Sequence, residues 1–195
     1  MSENDVRIYV SKKEMNKNAG EFAGSFDAVM RHRANGNIDK AHKLGETLAT
    51  IAPTGEGGGI FVNLRDHLSQ KFFVQDILYQ IRVLLVFACE TILQMELNSE
   101  LLSTTAIASM YTALEKDMPG FYNNIANGAA FTFYYLAIQK GGDVSENIGE
   151  AFAMLCAVKN KESYVLAGKT VWNLAVDIIG KEIEKADIKE SAKDK

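Results

Sequence analysis

Residues 121–139 read FYNNIANGAAFTFYYLAIQ and carry no charged side chain, yet they are crowded with aromatic rings and amides. A stretch so apolar on every side has three possible surroundings: a helical core, a subunit interface or the wall of a ligand pocket. Each implies a different function. The segment is expected to be the central helix of the fold, with the functional question concentrated on it.

The rest of the chain supports a helical setting. At 195 residues it has room for one sizeable domain with a full core. Proline occurs only at Pro53 and Pro119, and most glycines fall where helices can end. The expected fold is therefore all-α: a single domain of about seven or eight antiparallel helices, in an orthogonal or up-down bundle, with its central apolar helix near residues 121–140. The formal net charge is -4, with both signs interspersed, so nucleic acid is not an expected partner.

The first ten residues, MSENDVRIYV, lack the apolar run of an export signal, and an intracellular, cytoplasmic protein is expected. Cys89 and Cys156 sit in apolar helical surroundings that favour reduced thiols over a disulfide. A membrane partner is not expected either. Residues 83–89 are bracketed by Arg82 and Glu90 and fall far short of the roughly 20 apolar residues a span needs, while Asn123, Asn124 and Asn127 interrupt residues 121–139.

Along the chain, a short alternating piece at Val6, Ile8 and Val10 precedes Ser11 and Glu14, which have the spacing of a capping box. A first helix then carries Met15, Phe22, Phe26 and Val29 inward and ends at the Ala34-Asn35-Gly36 turn. A second runs over residues 38–52 until Pro53, closing an N-terminal helical hairpin over residues 11–53. The glycine-rich loop at 54–59 separates it from a C-terminal bundle over residues 60–180, and residues 181–195 form a charged, partly disordered tail, expected as a solvated helix extension that frays. Within the bundle, helices are expected over residues 63–70, 72–97, 99–116, 121–139, 144–158 and 163–179, with Asp143 and Glu146 as a second capping box.

Three mid-helix glycines share a local pattern. Leu44-Gly45-Glu46 and Ile148-Gly149-Glu150 match closely, and Ala167-Gly168-Lys169 more loosely. A glycine inside a helix costs about 1 kcal/mol relative to alanine, so its repeated use points to close helix crossings.

No motif announces catalysis. His42 and Glu46 share a helix face, but the chain has no Glu-x-x-His, His-Glu-x-x-His or Cys-x-x-Cys pattern, so neither a metal nor a cofactor is expected. The glycine-rich loop lacks the Gly-Lys-Ser/Thr ending of a phosphate cradle and reads as a linker. All three histidines precede residue 70, so neither Cys89 nor Cys156 has a histidine near it in sequence.

Two surfaces remain as candidates. On residues 121–139, helical spacing places Tyr122, Ile125, Ala126, Ala129, Phe133 and Leu136 toward the core. Asn123, Asn127, Phe131, Tyr134 and Ile138 fall on the opposite face, where amides and a phenol can line a pocket for a neutral ligand. Arg82 leans away from its helix's polar stripe and calls for a carboxylate or an anionic ligand. Val83 and Phe87 interrupt that stripe and suggest an interface. The expected function is a non-enzymatic interaction or scaffold protein, self-associating or binding another protein, with a small-molecule-binding or catalytic protein as the alternative.

Overall fold

Gly36 makes the first turn at φ 70°, a conformation that glycine adopts without the Cβ penalty of other residues. The structure is a computed structural model describing residues 26–51, 60–126, 128–157 and 161–189. Helix α1 includes residues 26–34 and α2 spans Asn37–Ile51, the two arms of the expected hairpin. Val6, Ile8, Val10, Ser11, Glu14 and Phe22 lie outside the described residues, as do the glycine-rich loop at 54–59, Asn127 and residues 190–195.

Helix α3 (Ile60–His67) and a 3-10 turn (Gln70–Phe72) lead into the long helix α4 (Gln75–Glu96). There follow α5 (Glu100–Asp117), α6 (Pro119–Ala126), α7 (Ala130–Gln139), α8 (Val144–Leu155) and α9 (Lys161–Ala186). Pro119 opens α6 at the position where a missing N–H costs nothing. Gly141 and Gly142, at φ 77° and 79°, follow α7, and the Asp143 side chain accepts from the Glu146 N–H at 3.2 Å to cap α8. The described residues contain no strand, and none of their helices is long and apolar enough to cross a membrane.

The fold is all-α, but its central helix is α4, not residues 121–139. Every residue from Val83 to Cys89 is at most 1% exposed, so two full turns are covered on all sides. The cause is legible in the sequence: those seven positions contain no polar side chain, whereas Asn123, Asn124, Thr132 and Gln139 give α6 and α7 an exposed side. Val83 and Phe87 are consequently interior residues, at 1% and 0% exposure, and not the surface of an interface.

Glycines set the helix crossings. A Cβ on Gly45 of α2 would lie 2.1 Å from the Ala106 carbonyl oxygen of α5. On α8 and α9, a Cβ on Gly149 would lie 2.5 Å from the Val165 carbonyl oxygen, and one on Gly168 would meet the Gly149 Cα at 3.0 Å. All three glycines of the repeated pattern thus mark points where backbones touch.

Helix α9 runs on to Ala186, in line with the expected helix extension, and the chain beyond it docks back on the hairpin. Ile183 and Ile188 pack half-buried against the core. Lys40 pairs with the Asp187 carboxylate at 3.2 Å. Asn37, fully buried, donates from Nδ2 to the Lys189 carbonyl at 2.8 Å and accepts from the Lys189 N–H at 3.2 Å. Residues 181–189 are therefore held as a strap across α2, with Lys181, Glu184, Lys185, Asp187 and Lys189 on its exposed side.

Candidate functional site

The uncharged segment is broken where a single helix was expected. After Ala126 the chain leaves the helix, Gly128 donates to the Ile125 carbonyl at 3.2 Å, and α7 begins at Ala130. Glycine is among the poorest helix formers, and the Asn127-Gly128 pair falls at the break. The interruption shifts the helical phase. Ile125 of α6 is buried and Asn123 is exposed, in line with the expected faces, and Phe121 is buried beside Ile125. In α7 the faces are exchanged: Tyr134 is 0% exposed, whereas Leu136 is 58% and Phe133 39% exposed.

Tyr134 and Phe131 therefore belong to an aromatic cluster centred on Phe87. The Phe87 ring lies 5.5 Å from Phe131, 5.2 Å from Tyr134, 5.0 Å from Tyr135 and 6.3 Å from Trp172. Edge-on and tilted rings at such spacings add to the energy of burial. Tyr134 is sealed inside this cluster, and Asn123 faces outward, so these two of the expected pocket residues do not converge. Phe131, by contrast, reaches a cavity.

That cavity is a cleft of about 330 Å³ beside the α6–α7 break, lined by Tyr111, Tyr122, Ile125, Gly128 and Phe131. The Tyr111 and Tyr122 rings stand 6.2 Å apart and 67° to one another. Behind them sits Glu90 of α4. Tyr111 donates its hydroxyl to Glu90 Oε2 and Tyr135 donates to Oε1, both at 2.7 Å, so one carboxylate ties α4, α5 and α7 together. Tyr111 and Glu90 were missed in sequence because they lie on helices far from the uncharged segment. Nothing local links them.

Burial, and then the Glu90 carboxylate, hold both phenols in the neutral form: Tyr135 is pushed up to about 12, and Tyr111 moves further in the same direction. An unfolded phenol loses its proton near pH 10, so below that value the contribution is complete, and it is lost as the pH climbs toward about 12. Urea midpoints measured across that window are expected to fall, and Tyr135→Phe to make the fall shallower. An unchanged alkaline slope in Tyr135→Phe would show that the Glu90 contact does not control this titration.

Arg82 lies elsewhere, in a separate cleft of about 510 Å³ with Phe61, Arg65, Phe73, Gln75 and Leu78. Its guanidinium carbon is 5.9 Å from the Phe61 ring centroid, and Arg65 has the same spacing to Phe73. The cysteines are poor nucleophiles. Burial pushes both Cys89 and Cys156 up to about 12, far above where a thiolate forms at neutral pH. Among the described residues no group of three or more His, Cys, Asp or Glu side chains is placed to hold a metal.

One buried polar cluster resembles a hydrolase triad but has the opposite polarity. Ser99 Oγ is 3.4 Å from His32 Nε2, and His32 Nδ1 is 3.2 Å from Asn37 Nδ2. The paired bonds of Asn37 to the Lys189 backbone fix its amide, so Nδ2 donates to His32 and Nδ1 must accept. The imidazole hydrogen then sits on Nε2, facing Ser99, where a general base would need a lone pair. The cluster anchors the strap. No protein-family model, curated protein or solved structure matches the chain.

Proposed function

We propose that this chain is a non-enzymatic helical interaction protein that associates with a second copy of itself through the outer side of α7. The observation carrying this reading is the exposure of Phe133 and Leu136, at 39% and 58%, on a segment without a single charge. The molecule has a net charge of -4, so two copies carry a net electrostatic repulsion. The α7 face can meet its own copy without that penalty. At its end Lys140 and Glu150 form an ion pair at 2.8 Å, the kind of polar rim that surrounds an apolar contact.

Leu136→Glu and Phe133→Glu place a carboxylate on that face without touching the core. Sedimentation of the wild-type chain is expected to show a dimer at micromolar concentration, and each variant a monomer with an unchanged melting temperature. A wild-type monomer, or a dimer indifferent to both substitutions, would remove the reading.

A further inference from the structure

The geometry points to the cleft at the α6–α7 break as a binding site for an alkylated ammonium cation, a function separate from association through the outer side of α7. Three of its five lining residues are aromatic: Tyr111, Tyr122 and Phe131. The first two rings meet edge-on at 67°, so they are not stacked face to face. An aromatic face carries the negative lobe of the ring quadrupole, and several faces around one point attract a cation. Gly128 and Ile125 complete the lining, and Ile125 adds an apolar surface that suits methyl groups.

The surroundings favour positive charge over neutral ligands. Among the described residues no lysine or arginine lines the cleft, and the carboxylate behind it is Glu90, which accepts the Tyr111 hydroxyl at 2.7 Å. A phenol donating to a carboxylate gains electron density in its ring, which strengthens the attraction at its face. The lining also suits alkyl groups. Among the described residues three aromatic rings and Ile125 form its side-chain surface, which packs against the methyl groups of an alkylated nitrogen and not against the hydrated head of a primary ammonium.

Isotope-labelled full-length chain titrated with tetramethylammonium chloride tests the assignment, with neopentyl alcohol as an uncharged analogue of similar shape and methylammonium as the primary amine. Saturable shifts of the Tyr111, Tyr122 and Phe131 ring signals are expected, with tetramethylammonium bound at least about fivefold more tightly than either control. Tyr122→Phe keeps the ring and should bind within about twofold of wild type, since cation–ring attraction does not need the hydroxyl. Tyr122→Leu, or Phe131→Leu should the first fail to fold, removes a wall and should abolish the shifts. Choline and a peptide carrying trimethyllysine, added in parallel, distinguish a free small molecule from a modified side chain, and saturable binding of either supports the site. Absence of saturable shifts in the folded wild type, equal binding of neopentyl alcohol, or full binding by a folded Tyr122→Leu chain would overturn it.

Discussion

Gly45→Ala is expected to lower the melting temperature by about 6–12 °C, corresponding to about 3 kcal/mol in a chain of this size. The intrinsic preference runs the other way, because alanine is favoured over glycine by about 1 kcal/mol inside a helix. What opposes it is geometry. The added methyl would lie 2.1 Å from the Ala106 carbonyl oxygen and 2.9 Å from both the Met110 nitrogen and the Ser109 Cβ, and two of those atoms are backbone. No side-chain rotation relieves such contacts, so α2 must move away from α5 and leave poorly packed space along the crossing. Gly180→Ala is the matched control: it also lies within a helix, α9, but a Cβ there meets nothing within 4 Å, and stabilisation of about 1 kcal/mol is expected. Thermal unfolding followed by circular dichroism reads both. A Gly45→Ala melting temperature at or above that of wild type would mean that the crossing is not closed as described.

These close crossings were legible in the sequence because a mid-helix glycine has a known cost and three of them occur in similar settings. Helix ends were legible for comparable reasons. Gly36, Pro119, the Gly141-Gly142 pair and the Asp143 cap each act through local backbone chemistry, which a sequence displays directly.

The faces of α7 were not legible. Assigning them requires the helical phase to run unbroken from Phe121, and the break before Ala130 resets it. The predicted faces are therefore right for Ile125 and Asn123 of α6 and exchanged for α7. The strap was hidden for a different reason: Asn37 holds the backbone of Lys189, and a backbone contact leaves no trace in the identity of the residue held. The candidate cleft was half visible. Tyr122, Ile125, Gly128 and Phe131 come from the segment that the sequence singles out, whereas Tyr111 and Glu90 arrive through packing of α4 and α5, which no spacing rule encodes.

Phe87→Ala is expected to cost about 3–5 kcal/mol, enough to bring a chain of ordinary stability close to unfolding. Phe87 is 0% exposed on the central helix, and its ring borders those of Phe131, Tyr134, Tyr135 and Trp172. Truncation thus removes one large side chain and strips packing from four others, and the cavity cannot collapse without moving α7 or α9 toward α4. Phe87→Leu retains most of the volume and should cost about half as much, since shape and ring contacts are lost but no large void forms. Phe87→Glu should prevent folding altogether, because a carboxylate there would be buried among aromatic rings. That outcome separates the interior from the docking face. Leu136→Glu, one helix layer outward, should leave the denaturant midpoint where it was and change only association. Should Phe87→Ala shift the midpoint by less than about 1 kcal/mol, or should Phe87→Glu fold normally, α4 is not the packed centre of this molecule.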